Sequence, residues 1–152
     1  MLYSTPCEYA IRALTFIALH SDGSPVQVKK ISEAERIPHH FLAKIMNRLI
    51  SKGIVRAMRG PGGGFVLTKP ANEMFVRNVI DAIDGVDSIR KQCVLGLDAC
   101  RDDAPCPMHE RWKAFRENFL ASIEQLTLEN MAENLKTKRQ RRFAREPQKR
   151  DG

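Results

Sequence analysis

The amino-acid sequence predicts a mainly α-helical fold that contains one small β-hairpin. Apolar residues recur at the three- and four-residue spacing of helices through most of residues 1–135. Two short runs of β-forming residues flank the glycine-rich stretch 59–64, which is the pattern of a hairpin. At 152 residues, the chain is long enough for one well-packed domain with an extension.

The first helix is expected to run from Pro6 to His20. Thr5 fits an N-cap residue, Pro6 fits the first helical position, and Glu8 follows the cap by three residues, as a capping box requires. Cys7 lies inside this helix and is expected to pack in the core. A stretch rich in Ser, Gly and Pro then ends the helix.

Two helices joined by a tight break follow. They are expected over residues 28–36 and 38–52, because a proline at position 38 pushes the preceding residue out of helical geometry. The second helix is expected to turn Phe41, Leu42, Ile45 and Leu49 inward and His39, His40, Lys44 and Arg48 outward. A helix pair whose second member has a basic outer face is what a helix-turn-helix motif needs to bind DNA.

A β-hairpin directly after this pair indicates a winged helix-turn-helix. Its strands are expected over residues 54–58 and 65–68. The glycine tip, with Gly62 and Gly63, would let the backbone approach DNA, while Arg56 and Arg59 neutralise phosphates or enter a narrow minor groove. A nucleotide-binding loop is not indicated, because no Lys-Ser/Thr pair follows the glycines.

The C-terminal part is expected to contain a helix over residues 73–84, a long helix over 107–126 and a short closing helix capped by Thr127. The long helix carries a wide apolar seam of Trp112, Phe115, Phe119, Ile123 and Leu126. So wide a seam needs a partner surface, and we expect both the first helix of the same chain and a second copy to supply it. A two-fold dimer is also the usual reader of a near-palindromic DNA site.

A cluster of sulfur ligands precedes the long helix. Three of the four cysteines, Cys93, Cys100 and Cys106, fall within fourteen residues, and His109 follows. Thiolates and imidazole suit zinc, copper or an iron–sulfur cluster. The gaps of six and five residues between the cysteines are wider than those of structural zinc sites, and they favour a loop wrapped around a cluster.

Charge is distributed unevenly along the chain. The net charge is +6 over residues 1–70, −5 over 71–135 and +6 over 136–152, which gives +7 overall. The basic ends favour a nucleic-acid partner. No apolar run is long enough for a membrane span and no signal peptide precedes the first helix, so we expect a cytoplasmic protein. No catalytic triad or carboxylate pair indicates an enzyme or a small-molecule substrate.

These features together resemble the Rrf-type family of bacterial winged-helix transcription regulators, which includes the IscR-like and NsrR-like iron–sulfur regulators. The resemblance covers about residues 1–135. It depends on the start Glu8-Tyr9-Ala10, the wing string 59–65, the three cysteines, and the closing string 127–129.

The resemblance implies a homodimer joined through its long helices, a double-stranded DNA operator, and a repressor that senses iron–sulfur status, redox state or nitric oxide. In IscR-like members the ligands are three cysteines and a histidine, which correspond here to Cys93, Cys100, Cys106 and His109 and favour a 2Fe–2S cluster. In some NsrR-like members the fourth ligand is a carboxylate where Glu8 lies here, which leaves a 4Fe–4S cluster open. The first cysteine gap is slightly wider than in IscR-like members. A cluster-free thiol or zinc-dependent regulator on the same fold is the alternative.

The chain is thus expected to divide into four parts. Residues 1–85 would form a winged helix-turn-helix DNA-binding domain, and residues 86–107 a cysteine-rich cluster-binding loop. Residues 108–135 would form the dimerisation helix and the short closing helix. Residues 136–152 would be a basic, disordered tail, because they lack apolar periodicity.

Overall fold

The computed structural model describes residues 2–20 and 22–145. The helices in this part of the chain are α1 Thr5–His20, α2 Val28–Glu35, α3 His39–Ser51, α4 Val76–Ile83, α5 Val86–Lys91, α6 His109–Glu124 and α7 Leu128–Arg145. The strands are β1 Val55–Met58 and β2 Gly64–Leu67, and a 3₁₀ helix spans Ala71–Glu73. The predicted fold class, mainly α with one small hairpin, is confirmed.

Helix α1 is the centre of the hydrophobic core. It packs against α2, α3, α4, α7 and β2. Its residues Leu14 and Ile17 are fully buried, and each such side chain contributes about 1.5–3 kcal/mol relative to an exposed one. Cys7 also has no exposed surface and belongs to this core, in agreement with the packing role expected for it.

The N-cap of α1 is Ser4, not Thr5 as the sequence indicated. The Ser4 hydroxyl oxygen accepts a hydrogen bond from the Cys7 N–H at 3.2 Å and donates to Asp84 Oδ1 at 2.5 Å. Asp84 Oδ2 also accepts from the Ser4 N–H at 2.7 Å. The capping-box role expected of Glu8 is therefore wrong, because the cap is one residue earlier and its second partner is Asp84, the residue that follows α4.

Helices α2 and α3 form the predicted helix pair. Arg36 ends α2 in the left-handed conformation, with φ of 53°. Helix α3 then buries Leu42, Ile45, Met46 and Leu49. Phe41, which was expected to point inward, is 50% exposed, because it lies about 100° around the helix from Leu42. Its ring borders an open groove of about 460 Å³ between α1 and α3.

Strands β1 and β2 form the predicted wing as an antiparallel pair in which Val55 lies opposite Leu67 and Met58 opposite Gly64. A single bridge adds Val26 to the outer side of β2. The Phe65 N–H donates to the Val26 carbonyl at 2.8 Å, and the Val26 N–H donates back at 2.9 Å. The wing is therefore attached to the segment between α1 and α2.

The C-terminal helices close the core differently from the sequence expectation. Helix α7 covers α1, whereas α6 packs mainly on α4. The buried residues of α6 are His109, Arg116, Leu120 and Ile123, so they form a stripe displaced from the predicted seam. Phe115 of that seam is 53% exposed. Thr127 is the N-cap of α7 as predicted, because its hydroxyl oxygen accepts from the Asn130 N–H at 3.1 Å.

Two further elements correct the sequence boundaries. Helix α5 lies inside the predicted loop 86–107, where buried Val86 and Ile89 supply too short an apolar pattern to reveal a helix. Helix α7 continues to Arg145, so the disordered tail is wrong for residues 136–145, whose Lys, Arg and Gln residues have good helix propensity. Residues 146–152 of that tail lie outside the described part. Among the described helices, none is long and apolar enough to cross a membrane.

Candidate functional site

The three clustered cysteines lie in the segment between α5 and α6, residues 92–108, called here the cysteine loop. Its ends are held by hydrogen bonds to the flanking helices. The Cys100 N–H donates to the Lys91 carbonyl at 2.8 Å. The Gln92 carbonyl accepts from Trp112 Nε1 at 2.7 Å and from Arg116 at 3.2 Å, and both donors belong to α6. The loop path is thus fixed at its start by side chains of the helix that follows it.

The three cysteines of the cysteine loop and His109, the first residue of α6, form two pairs. Cys93 Sγ and Cys106 Sγ are 3.9 Å apart, and Cys100 Sγ lies 3.2 Å from His109 Nδ1. All four residues border one cavity of about 610 Å³. In residues 2–20 and 22–145, no three His, Cys, Asp or Glu side chains are arranged to hold a single metal ion. The structure therefore gathers the predicted donors around one space, but as pairs and not as one tetrahedral set.

The pKa values of Cys93 and Cys7 are shifted in opposite directions. Hydrogen bonds from the Leu95 backbone first, and then from other backbone groups and the Cys106 thiol, lower the pKa of Cys93. Burial first, and then the charge of Asp84, raises the pKa of Cys7 to about 12. Because the thiolate is the form that binds metals, Cys93 is suited to ligation and Cys7 is not.

His109 is held in one orientation at the first turn of α6. It is 3% exposed, and its Nε2 lies 2.8 Å from Asp102 Oδ1. Lys113 Nζ lies 2.9 Å from the same oxygen. The hydrogen bond from Lys113 first, and then that from His109, lowers the pKa of the Asp102 carboxyl, which therefore remains charged. Asp102 is a site residue that the sequence reasoning missed, although a metal-ligating histidine commonly donates its other ring N–H to a nearby carboxylate.

The structure does not bring Glu8 to the cysteine loop of its own chain. Its carboxylate lies 3.3 Å from the Arg12 guanidinium, on the next turn of α1. Glu8 is not among the residues that border the cysteine cavity. A ligand role for Glu8 would therefore require the loop of a second copy.

The predicted DNA-binding side chains lie on the outer surfaces of α3 and the hairpin. All six side chains of this set are exposed: His39, His40, Lys44, Arg48, Arg56 and Arg59. Within the described ranges, the four Lys and Arg residues of this set form no ion pair with a carboxylate. By contrast, Arg77 and Arg90 are paired with Glu124 and Asp87. The four unpaired cations are free to meet phosphates.

The wing glycines have structural roles of their own. Gly62 has φ of +74°, which favours glycine. A Cβ on Gly63 would lie 2.3 Å from the Met58 carbonyl oxygen, and one on Gly64 would lie 2.5 Å from the Val26 carbonyl oxygen. Hairpin geometry alone therefore explains the glycine string, and a DNA contact by Gly62 or Gly63 stays a prediction.

A second surface at the cysteine loop is apolar. Large side chains of the loop and of the adjoining turn of α6 remain exposed by 40–63%: Val94, Leu95, Leu97, Met108 and Phe115. The Trp112 ring stacks on Phe115 with centroids 5.7 Å apart. Exposed large apolar side chains concentrated in one part of the chain favour an interaction surface.

The sequence of the chain matches known regulators over most of its length. Residues 3–134 match the family profile described as Rrf2, iron-dependent transcriptional regulator. The chain is 35% identical over 128 residues to the HTH-type transcriptional regulator IscR of Xenorhabdus nematophila. It is 36% identical over the same length to that of Pectobacterium carotovorum subsp. carotovorum. Each match covers 84% of this chain and 76% of the relative.

Solved structures share the fold. CymR, the global cysteine regulator of B. subtilis, superimposes with a TM-score of 0.72 at 21% identity, over 86% of this chain and 95% of CymR. T. potens IscR superimposes with a TM-score of 0.68 at 21% identity, over 87% of this chain and 86% of that one. The architecture and the sequence matches agree, and the chain belongs to the Rrf2 family of DNA-binding transcriptional regulators, which are not enzymes.

Proposed function

We propose that this regulator senses iron–sulfur status, redox state or nitric oxide through a 2Fe–2S cluster bound by the cysteine loop. The proposed ligands are Cys93, Cys100, Cys106 and His109. The observation that carries the proposal is the arrangement of these donors as two pairs around one cavity. A bound cluster supplies a redox centre whose potential depends on its ligands, nearby hydrogen bonds and solvent exposure.

The paired arrangement fits a two-iron group, because each iron of such a cluster takes two protein ligands. Two thiolates about 2.3 Å from one tetrahedral metal ion lie roughly 3.8 Å apart. The Cys93 and Cys106 sulfurs, at 3.9 Å, match that separation. Cys100 and His109 supply the second pair. A single zinc ion is a poorer fit, because it needs all four donors around one point.

A second copy of the chain is proposed as the occupant of the apolar surface at the cysteine loop. Phe115 and Leu97 are 53% and 63% exposed there, so burial of their exposed part is worth about 1–2 kcal/mol each. A two-fold dimer would present two copies of α3 and of the wing to one DNA operator. Lys44, Arg48, Arg56 and Arg59 of each protomer are the proposed phosphate-binding cations, with His39 and His40 beside them.

The cysteine loop is proposed to couple ligand binding to DNA binding, because it joins α5 to α6. The Gln92 carbonyl at the start of the loop is hydrogen-bonded to Trp112 and Arg116 of α6, and bonds from the cluster to its ligands would hold the rest of the loop. When those bonds are lost, the loop can take other shapes, and the two DNA-reading domains can change their spacing. A coupling of about 1–3 kcal/mol would change DNA affinity roughly 5- to 150-fold.

The cluster is tested by anaerobic purification, followed by iron and acid-labile sulfide analysis and a visible spectrum. We expect a coloured protein with about two irons and two sulfides per chain. His109→Ala should lose the cluster, whereas Glu8→Gln should retain it. Cys7→Ala is the matched control, because Cys7 is a cysteine that does not border the cavity.

Other results of the same analysis would support a 4Fe–4S cluster or a cluster-free site. About four irons per chain, together with cluster loss in Glu8→Gln, would support a 4Fe–4S cluster. A colourless protein without sulfide would refute the cluster and leave a cluster-free thiol or zinc-dependent regulator.

The coupling is tested separately by fluorescence anisotropy. Two sets of duplexes are first selected from random-sequence DNA, one by the cluster-loaded protein and one by the cluster-free protein. Both forms of the protein are then titrated against both sets at one salt concentration. Equal affinities of the two forms on every duplex would refute the coupling.

A further inference from the structure

We infer that Asp102 is a positioning residue that makes Nδ1 of His109, and not Nε2, the atom presented to the cluster. The inference depends on the proposed function, because it concerns how one ligand of that cluster is held. Asp102 lies in the cysteine loop, two residues after Cys100.

The two ring nitrogens of His109 have different surroundings. Nδ1 lies 3.2 Å from the Cys100 sulfur, whose residue borders the cavity, whereas Nε2 lies 2.8 Å from Asp102 Oδ1. A neutral imidazole can offer one nitrogen to a metal only while the other carries the proton. The carboxylate accepts that proton as a hydrogen bond at Nε2, which leaves the lone pair on Nδ1.

The His109 ring has little freedom to turn. The His109 side chain is 4% exposed, and Cys100 and Asp102 of the same loop contact its opposite nitrogens. The oxygen of Asp102 that faces His109 also lies 2.9 Å from Lys113 Nζ. Since Lys113 follows His109 by one turn of α6, the helix supplies both partners of the carboxylate. A ring flip about the Cβ–Cγ bond would exchange each nitrogen with a carbon, so it would remove Nε2 from Asp102 and Nδ1 from the Cys100 sulfur.

The same hydrogen bond affects the electronic character of the ligand. A carboxylate that accepts a hydrogen bond from a ligating imidazole raises the basicity of that imidazole. A more basic ligand stabilises the more highly charged, oxidised iron. Asp102 is therefore expected to lower the reduction potential of the cluster, and its removal is expected to raise that potential.

The atom assignment is tested on the unmodified protein by isotope labelling. Two samples are prepared, one with histidine labelled with ¹⁵N only at Nδ1 and one labelled only at Nε2. The reduced cluster is then examined by electron–nuclear double resonance. The large hyperfine coupling of a directly bound nitrogen is expected from the Nδ1 label, and a coupling several-fold smaller from the Nε2 label. The larger coupling from Nε2 would overturn the assignment.

The positioning role is tested by redox titration of Asp102→Asn and Asp98→Asn. Asp98 is the matched control, because it borders the cysteine cavity and its substitution removes the same charge, but it is not a hydrogen-bond or ion-pair partner of the His109 ring. We expect a higher midpoint potential for Asp102→Asn than for both Asp98→Asn and the unmodified protein. Equal shifts of the midpoint potential in the two variants would show that Asp102 acts only through its negative charge, which would overturn the inference.

Failure of this inference can be distinguished from failure of the proposed function. Protein without iron and acid-labile sulfide would remove the cluster and the inference together. A cluster that shows no directly bound nitrogen from either label would retain the proposed cofactor while overturning the role of both His109 and Asp102. If Asp102→Asn fails to fold, the labelling experiment still decides the atom assignment.

Discussion

Substitution of Arg59 by alanine is the sharpest test of the proposed DNA surface. Arg59 lies at the start of the wing tip, and it is exposed and unpaired within the described ranges. Each phosphate contact contributes about 0.9 to the slope of log affinity against log salt. Four such cations in each protomer of a dimer would give a slope of roughly −7. Arg59→Ala removes two contacts, so the slope should decrease in magnitude by about 1.8.

This change is large enough to measure. Between about 50 and 200 mM salt, the unmodified dimer should lose roughly 10⁴-fold in affinity, and the variant roughly 10³-fold. The assay is fluorescence anisotropy at four or more salt concentrations on a selected duplex and on an unrelated one. A phosphate contact should weaken both complexes equally, whereas a base contact should weaken mainly the selected one.

The matched control is Arg90→Ala. Arg90 is also exposed, but it lies on α5 and is paired with Asp87, so its loss should leave the salt slope unchanged. A slope for Arg59→Ala equal to that of the unmodified protein would refute the placement of DNA at the wing. A decrease of only about 0.9 would instead indicate that one protomer contacts DNA.

Two further predictions concern cysteine chemistry and stability. In cluster-free protein, a two-electron thiol oxidant such as diamide should join Cys93 to Cys106, because their sulfurs need to move only from 3.9 Å to about 2.0 Å apart. Peptide mapping should show this disulfide together with an unmodified, buried Cys7. A disulfide to Cys7 would contradict the structure. Ser4→Ala should lower the free energy of unfolding, measured in urea, by about 1 kcal/mol, whereas Thr5→Ala should change it by less than about 0.5 kcal/mol. A larger loss for Thr5→Ala than for Ser4→Ala would instead support Thr5 as the N-cap, as first predicted from the sequence.

Most of the fold could be predicted because its signals are local. The apolar spacing of Ile45 and Leu49 identifies α3 without knowledge of its neighbours, and the glycine string identifies the hairpin. The elements that were missed depend on distant partners. Ser4 acts as the N-cap in place of Thr5 because Asp84, eighty residues away, accepts from both its hydroxyl and its N–H.

The candidate site was predictable in its residue types and not in its geometry. The density of cysteines before His109 predicts a ligand set, because few other roles gather so many thiols in a polar loop. The division into pairs depends on how the chain folds back between Cys93 and Cys106, which the spacing does not determine. The role of Asp102 likewise depends on α6, since Lys113 orients it from the following helix.

The bridge between Val26 and Phe65 has a consequence for solubility at high concentration. A free two-stranded hairpin offers two open edges, each able to pair with the hairpin of another molecule. Here Val26 occupies the edge of β2, and the close approach at Gly64 makes that possible. The remaining edge, on β1, carries the charged Arg56, and charge at an edge discourages such pairing. Wings brought close together on neighbouring DNA sites should therefore remain separate and not join into a continuous sheet.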